Sequence, residues 1–403
     1  MRKSTYLLAA AAASIATPAL AKVGDPIPLG GEITFDLQAN ARVRYEAVDQ
    51  GNIANTAEAL TARLRLGGEL KYKIVSLLIE GEGTVALVDD YNDTLAFNGV
   101  EPFPIVADPE NLELNRAQIS VMKDGTGVTV GRQRINLDNQ RFVGAVGWRQ
   151  NEQTFDAVRG QAKIGQVKLD ATYAISQRTI FGVDSPSEHF DGDLVLLNAA
   201  YDGARVDVSA FSYLLDYEAR PTFSTGTYGV LLLGNAPLGG GVTVNGMASY
   251  AAQSDLGSNP GDYSVDYLAL EAGAAIRGIS LGAGYELLGS DEGRAAFQTP
   301  LATMHAFNGW ADLFLTTPAA GLEDYYLKAG YTPATPLIPG LSFAVAWHSY
   351  SADFGGAEYG TEWNASLGAR LGPVAMLVKF ADYQADGFGA DKQIVWVQAE
   401  YSF

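Results

Sequence analysis

Residues Phe35 to Tyr45 read FDLQANARVRY, and apolar and polar side chains alternate along them with a period of two. The apolar set is Phe35, Leu37, Ala39, Ala41, Val43 and Tyr45, and the polar set is Asp36, Gln38, Asn40, Arg42 and Arg44. Successive side chains of a β-strand point to opposite faces. The stretch therefore predicts a strand with one face in an apolar medium and the other face in water.

The same alternation recurs along the chain. Leu64 and Leu66 alternate with Arg63 and Arg65, and residues 79–87, 167–178 and 362–371 repeat the pattern. Reversing any of these strands would place charged groups in lipid, which costs several kcal/mol for each charge near the bilayer centre. A soluble sandwich or propeller would fit the strand spacing but not this consistent apolar parity. The repetition predicts a transmembrane β-barrel.

The connections between the alternating segments fall into two classes. Short turns occur at 123–125, 165–166, 202–203, 239–241 and 372–373, and longer polar stretches lie near 91–108, 136–152, 179–192, 253–262 and 290–320. Short turns on one side and long loops on the other are typical of up-and-down outer-membrane barrels. Counting between these marks predicts an all-β, antiparallel barrel of about eighteen strands, beginning near Gly31 and ending at Phe403.

The amino-terminal residues have the features of an export signal. Arg2 and Lys3 precede an apolar run from Tyr6 to Ile15, and Pro18 to Ala21 offer a cleavage site with small residues. We therefore expect residues 1–21 to be a cleaved signal peptide and residues 22–403 to form the barrel. The chain contains no cysteine, which excludes disulfides and thiolate metal sites.

Composition and the last strand indicate the compartment. The chain has 45 Gly, 20 Tyr and 17 Phe but only 18% charged residues, a balance that suits strands, turns and membrane interfaces. Gln393 to Phe403 alternates once more and ends on an aromatic residue. This ending resembles the signature that the outer-membrane barrel insertion machinery recognises. We expect a protein of the bacterial outer membrane, surrounded by lipid and lipopolysaccharide.

Arginine is unusually abundant for a chain of net charge −19. There are 17 arginines against 10 lysines, and five of the arginines fall within residues 131–160. By parity, the inward set includes Arg42, Arg44, Arg63, Arg65, Arg116, Arg159, Arg178, Arg205, Arg370 and Lys379. Acidic partners expected in the same lumen are Asp36, Glu80, Glu82, Asp156, Asp170 and Glu362. Rings of basic side chains line anion-selective pores, although such groups also form the structural ion-pair network of a barrel interior.

Four arginines of the 131–160 stretch are harder to place. Arg132 and Arg134 share the parity of Val128 and Val130, which we expect to face lipid. Either the strand has left the apolar band there, or a bulge at Gly131 reverses the phase. The remaining pair, Arg141 and Arg149, falls in a loop that either folds inward as a constriction or lies on the outer surface.

Two stretches resemble a known family. Gly131 to Val158 (GRQRINLDNQRFVGAVGWRQNEQTFDAV) and Leu301 to Tyr331 (LATMHAFNGWADLFLTTPAAGLEDYYLKAGY) are similar to motifs of the alginate-export family of outer-membrane β-barrel porins. The resemblance implies a monomeric barrel with an arginine-lined, anion-selective lumen, and it favours Arg132 and Arg134 as pore residues. Arg149 is counted with them as a candidate pore residue. In the family's alginate exporter a long periplasmic turn plugs the barrel. Here only Thr332 to Gly340 is of moderate length, so such a plug is not expected.

Together these features predict a passive, anion-selective channel for acidic polysaccharide, an alginate-like polyuronate, or its fragments. Arginine suits this role because its planar fork binds a carboxylate bidentately and is more weakly hydrated than an ammonium group. An uptake porin for small organic anions or acidic sugars is the alternative, since a diffusion channel has no intrinsic direction. Nucleic acid is not expected as a partner.

An outer-membrane hydrolase is the remaining alternative. The only histidines are His189, His305 and His348, the first two in predicted loops and the third on a strand. The sequence contains no evident Ser-His-Asp arrangement around them and no HExxH spacing for a metal. We therefore expect neither an enzyme nor a cofactor.

Overall fold

The computed structural model describes residues 25–335 and 337–403, so the predicted signal peptide lies outside the described residues. Within these ranges, eighteen strands of one antiparallel sheet close into a barrel, and a further short strand, β1, pairs with the first of them. The strands are β1 Ile27–Gly30, β2 Ile33–Gln50, β3 Ala57–Tyr72, β4 Val75–Asp90, β5 Asn111–Lys123, β6 Thr126–Gln133, β7 Thr154–Ile164, β8 Val167–Arg178, β9 His189–Tyr201, β10 Val206–Tyr217, β11 Thr225–Gly239, β12 Val242–Asp255, β13 Ser264–Ile276, β14 Ile279–Leu288, β15 Ser290–Asp291, β16 Ala295–Ala296, β17 Leu322–Tyr331, β18 Ser342–Ser351, β19 Glu358–Leu371, β20 Val374–Ala385 and β21 Lys392–Ser402.

Strands β15 and β16 form a separate two-stranded ribbon within the connection from β14 to β17. Two short 3₁₀-helices, Pro221–Phe223 and Met304–Ala306, lie in other parts of the connections. No helix in the described part of the chain has the length and hydropathy that a membrane span requires. The all-β prediction is confirmed.

The barrel closes through β2. This strand pairs with β3 on one edge, where Arg42 lies opposite Arg63, and with β21 on the other edge, where Arg42 lies opposite Glu400. Each remaining barrel strand pairs with its predecessor and successor in the chain. The predicted up-and-down barrel of about eighteen strands is therefore confirmed, with the first barrel strand starting at Ile33 rather than Gly31.

Alternation along the strands separates two environments. On β3, Leu64 and Leu66 are 49% and 51% exposed, whereas Arg63 and Arg65 are 2% and 7% exposed. The exposed residues face outward, where a bilayer would cover them, and the arginines face the lumen. The parity predicted from the sequence is thus the parity of the folded barrel.

The two classes of connection lie at opposite ends. Turns of two residues join six of the strand pairs at one end, and that at residues 165–166 uses Gly165 with a φ of +63°, which suits glycine because it has no side chain. At the other end lie the longest connections, residues 91–110, 134–153 and 289–321. By the usual asymmetry of such barrels, the short turns face the periplasm and the long loops face the exterior.

Two of the long connections, which we call loop A (residues 134–153) and loop B (residues 289–321), fold into the barrel. Their apolar side chains form a core with aromatic residues of the inner wall. The core includes Ile135, Val143, Leu301, Phe314, Tyr213, Tyr267, Tyr350 and Trp396, each less than 9% exposed. Nearer the short turns, the inward-facing Gln38, Gln161 and Lys328 remain partly exposed. The loops therefore fill the outer half of the lumen, while inward-facing side chains of the periplasmic half remain accessible to solvent.

Candidate functional site: a constriction made by two loops

Loops A and B meet inside the barrel through their backbones. The N–H of Gly144 donates to the carbonyl of Leu301 at 2.8 Å, and the N–H of Thr303 donates to the carbonyl of Gln140 at 3.1 Å. The side-chain amide of Gln153 adds a bond to the carbonyl of Leu301 at 3.0 Å. The two loops thus form one layer across the lumen, and anything that passes through the barrel must pass this layer.

Loop A is held by four arginines of β2 and β3, which we call the basic wall: Arg42, Arg44, Arg63 and Arg65. Arg42 donates to the carbonyls of Gly147, Trp148 and Arg149 at 3.1, 2.9 and 3.2 Å. Both Arg63 and Arg65 donate to the carbonyl of Gln150, at 3.4 and 3.1 Å. The Arg44 guanidinium lies 3.9 Å from the centre of the Trp148 ring. These side chains satisfy loop carbonyls that would otherwise be buried without donors.

Ion pairs reinforce this attachment from the loop side. Arg65 contacts Glu152 at 2.9 Å, and Arg134 also pairs with Glu152. Burial opposes ionisation of Glu152, but the two guanidinium groups outweigh it and lower the pKa of that carboxyl to about 2. Arg149 of the loop lies 3.1 Å from Asp312 of loop B and 3.3 Å from Glu46 of β2. The inward-folded arrangement considered for Arg141 and Arg149 is the one observed.

Loop B and the tip of loop A are held by three carboxylates, which we call the acidic wall: Glu286 on β14, Asp324 on β17 and Glu362 on β19. Glu362 accepts the backbone N–H groups of Trp310 and Ala311 at 2.5 and 2.9 Å. Glu286 accepts the Asn308 amide at 2.6 Å and the Arg141 guanidinium at 2.5 Å. All three carboxylates are at most 4% exposed, so their charges are compensated by these donors rather than by water.

Lys379 is placed differently from the prediction. Its side chain is 1% exposed, and its ammonium group lies 3.8 Å from the Trp310 ring centre and 4.0 Å from the Trp148 ring centre. The same ammonium donates to His305 Nε2 at 2.6 Å. Parity correctly gave an inward direction, but the loops cover the strand at this height. Lys379 therefore holds the loops and does not line the pore.

Solvent reaches other members of the predicted basic set. Arg134, Arg116 and Arg159 have side-chain exposures of 31%, 16% and 15%. Arg116 forms a bidentate pair with Glu80 at 2.8 and 2.6 Å and also contacts Gln38, and Arg159 contacts Asp170. These three guanidinium groups are the candidates for contact with a solute in the lumen.

Arg132 stays on the parity of the lipid-facing residues. Although Gly131 has a φ of +118°, strand pairing continues through it without a register shift on either side. Arg132 forms a bidentate pair with Asp156 at 2.8 and 2.9 Å and donates to the carbonyl of Leu114. The bulge considered for Gly131 is absent from the pairing, and Arg132 belongs to the barrel wall. Its neighbour Arg134 reaches the lumen because it follows the end of β6.

The remaining predicted basic residues lie away from the constriction. Arg178 pairs with Glu188 and lies 3.6 Å from Glu113. Arg370 sits near the short turns, where its backbone N–H bonds to the carbonyl of Pro339. Arg205 is exposed in the turn between β9 and β10.

The predicted acidic partners differ in where they lie. Glu80, Glu82 and Asp170 each pair with an inward-facing arginine. Asp156, which was predicted in the lumen, pairs with Arg132 on the outward parity that it shares with Val158, whereas Phe155 and Ala157 face inward. Asp36 contacts the amide of Gln38 at 3.5 Å, and Glu362 binds loop B instead of an arginine. Two acids of the acidic wall, Glu286 and Asp324, were not predicted, although both lie on inward positions of their strands. Their role depends on Asn308 and Arg141, which are distant in sequence, so alternation alone could not identify it.

Of the three histidines, His189 was predicted in a loop but is the first residue of β9, and the other two are buried. His348 Nδ1 lies 2.9 Å from Asp324, and His305 Nδ1 lies 3.0 Å from Asp312, so both have an aspartate partner. The rings are packed between aromatic side chains, with His348 stacked on Tyr350 and His305 stacked on Trp148. Among the described residues, no cluster of three or more His, Asp or Glu side chains is arranged to hold a metal ion.

A closed antiparallel barrel with apolar outer parity, charged inner parity and inward-folded loops is the fold of the bacterial outer-membrane β-barrels. Residues 33–191 match the family model for alginate export, which confirms the resemblance noted for residues 131–158, while the second stretch, residues 301–331, lies outside the matched range. No curated protein matches the sequence.

Solved structures share the whole fold. Pseudomonas aeruginosa OccK9 (OpdG) matches with a TM-score of 0.72 and 17% identity, covering 92% of this chain and 98% of that chain. Pseudomonas aeruginosa OpdL matches with a TM-score of 0.70 and 18% identity, covering 92% and 98%. Pseudomonas aeruginosa OpdK with vanillate matches with a TM-score of 0.70 and 13% identity, covering 91% and 98%. At these identities the likeness concerns the fold.

Proposed function

We propose that this protein is a passive, anion-selective channel for fragments of acidic polysaccharide of the alginate type. The observation that carries the proposal is the set of partly exposed guanidinium groups of Arg116 on β5, Arg134 at the start of loop A and Arg159 on β7. A uronate carboxylate can exchange its water for such a group and leave again, because each guanidinium already shares an acidic partner. The match of residues 33–191 to the alginate-export family supports this cargo class.

The loop layer favours fragments over an intact polymer. Loop A reaches from β6 and β7 to Glu286 on β14 through Arg141, and loop B reaches Glu362 on β19. A chain of linked sugars would have to pass beside these bonded segments. Short oligouronates need a smaller passage, and either direction of flow is compatible with a passive channel.

A second candidate is an uptake channel for small organic carboxylates. It is supported by the fold shared with OpdK, whose structure has been solved with the aromatic carboxylate vanillate. The same arginines would serve both cargoes, since both present a carboxylate to a guanidinium fork. We further propose that the barrel acts as a monomer and that its last strand, β21, is the segment through which the insertion machinery recognises it.

Planar bilayers containing the purified barrel test the proposal. In a salt gradient, we expect a reversal potential of the sign for chloride preference, and replacing Arg116, Arg134 and Arg159 together by Gln should move it towards zero. A matched control replaces Arg205, Arg277 and Arg294, three exposed arginines of the connections, and should leave selectivity nearly unchanged. Cation preference in the unmodified protein, or equal behaviour of the two triple variants, would refute the proposal.

Current block by added solutes then separates the two cargoes. Tri- or tetrauronates should interrupt the current at concentrations at which neutral oligosaccharides of equal length do not. If only vanillate-like carboxylates block, the small-anion alternative holds instead.

A further inference from the structure

Asp312, His305 and Lys379 form a buried chain of hydrogen bonds at the junction of the two loops with the wall. His305 Nδ1 lies 3.0 and 3.1 Å from the two carboxylate oxygens of Asp312, and its Nε2 lies 2.6 Å from Lys379 Nζ. With Lys379 as an ammonium group, which can only donate, Nε2 is the acceptor and Nδ1 carries the proton. This assignment gives a neutral imidazole with one defined tautomer.

Aromatic rings surround this chain on several sides. His305 stacks on Trp148 with 4.4 Å between ring centroids and an interplanar angle of 3°, and it meets Trp396 edge-on at 5.6 Å. Trp148 belongs to loop A, His305 and Trp310 belong to loop B, and Lys379 and Trp396 belong to β20 and β21. One imidazole therefore contacts both loops and the wall at once.

Adding a proton to His305 would destroy this arrangement. A second N–H would face the Lys379 ammonium at 2.6 Å, with no acceptor between them. The charged groups around His305 are Asp312 on its own loop, Arg149 on loop A and Lys379 on β20, with Arg44 and Glu46 on β2 and Lys392 at the start of β21 behind them. The one carboxylate bonded to the imidazole is shared with Arg149, so it compensates a new positive charge only in part.

We propose that Asp312, His305 and Lys379 form an acid-sensitive latch, which holds loop B against loop A and the wall at neutral pH and releases loop B when His305 is protonated. The latch rests on the proposed channel function, because its output is the current through the barrel. Burial supports it by lowering the pKa of His305 to about 3, against the opposing pull of Asp312, so the closed arrangement resists protonation. Once the loops separate, the imidazole returns to its ordinary range near 6.5.

The direction of the pH effect follows from this difference between the two pKa values of His305. The closed state binds fewer protons than the released state between pH 6.5 and about 3, so acid favours release in that window. The ratio of released to closed channels should rise by about tenfold for each pH unit below 6.5. At pH 7.5 and above the ratio should not depend on pH through this group.

Single-channel recording between pH 7.5 and 4.5 tests the latch. The unmodified protein should show brief or absent high-conductance openings at pH 7.5 and increasingly frequent ones below pH 6.5. His305→Gln can still donate to Asp312 and accept from Lys379, so it should fold, stay closed and lose the acid response. His348→Gln is the matched control, since it alters the other buried histidine that has an aspartate partner, and it should keep the response.

Tryptophan emission of the unmodified protein gives a second measurement that needs no variant. Release of His305 from Trp148 and Trp396 should change the emission with the same midpoint as the current. A current and emission independent of pH over this range, an unaltered response in His305→Gln, or a response lost in His348→Gln would each overturn the latch. Anion selectivity is read separately from the reversal potential, so failure of the latch and failure of the channel proposal give different results.

Discussion

Loops A and B are held to the barrel by opposite chemistry. The basic wall donates to backbone carbonyls of loop A, as Arg42 does to residues 147–149, whereas the acidic wall accepts backbone N–H groups of loop B, as Glu362 does from Trp310 and Ala311. A peptide segment without secondary structure exposes both kinds of group, and burying either kind unpaired is costly. Charged side chains in a barrel interior can thus be occupied in binding the loops and are then not available to bind a solute.

The largest loss of stability should come from removing a carboxylate of the acidic wall. Glu362→Ala removes the acceptor of two buried donors, the backbone N–H of Ala311 and the side-chain amide of Asn364, whereas the N–H of Trp310 keeps Asn364 Oδ1 as an acceptor. The loss should destabilise the folded barrel by about 3 kcal/mol and free loop B. Thermal unfolding in detergent measures the loss, and single-channel current should become larger and noisier. Glu271→Gln is the matched control, because Glu271 faces inward but bonds to Lys328 and Tyr326 of the wall. Equal stability of the Glu362 and Glu271 variants would contradict the role given to Glu362.

Removing an arginine of the basic wall should lower the stability of the barrel by a smaller amount. Arg42→Met removes three donors to loop A, but the carbonyls left behind tolerate poor pairing better than N–H groups do, so we expect about 2 kcal/mol. Arg159→Met, which removes an inward arginine that pairs with Asp170 of the wall, is the comparison. Unfolding curves for the two variants should differ clearly. If they coincide, the bonds to residues 147–149 contribute nothing measurable.

Acidification should release loop B before it weakens the attachment of loop A. The depressed pKa of His305 makes stability fall as pH drops from 6.5 towards about 3, a loss of about 1 kcal/mol already at pH 6. Glu152 of loop A has its pKa lowered to about 2, so its contribution is complete above about pH 4.5 and is lost only on further acidification. Hydrogen exchange at pH 5.5 should therefore show increased exchange in loop B while loop A near Glu152 stays protected. Simultaneous loss of protection in both loops would show that they respond as one unit.

The smallest effect should come from a bond on the outer face. Tyr173 donates to Asp193 across strands β8 and β9, but its side chain is exposed and water can replace the partner. Tyr173→Phe should leave the unfolding temperature and the current unchanged within error. A clear loss of stability would mean that outward hydrogen bonds matter as much as those that hold the loops.

Alternation predicted the barrel because it depends only on neighbouring residues. Arg63 and Leu64 report their faces through a period of two, and turns such as Gly165-Gln166 mark the strand ends. The constriction was harder to predict from the sequence, because its contacts join residues far apart in the chain. Parity showed that Lys379 points inward, yet only the fold of both loops shows that Trp148 and Trp310 cover it.

Arg132 shows the converse case, in which alternation was correct and the family resemblance was not. Its parity correctly indicated the outer face, and the resemblance to the alginate-export family argued for the pore. The structure places it in the wall because pairing runs through Gly131 without a shift. Within a paired strand, the alternation of apolar and polar residues predicted the direction of a side chain better than the family resemblance did. Beyond the end of β6, alternation no longer predicts direction, and Arg134 turns inward.

The closure of the barrel through β2 also fixes an order of assembly. Asn40 and Arg42 bond to Glu400, partners separated by 360 and 358 positions in the chain. The bonds of Asn40 and Arg42 to Glu400 therefore form only when β21 has docked against β2, and contacts so distant in sequence are slow to form. We therefore expect the constriction to form late, after the sheet has closed, so that a newly inserted barrel first has a wider lumen than the finished protein.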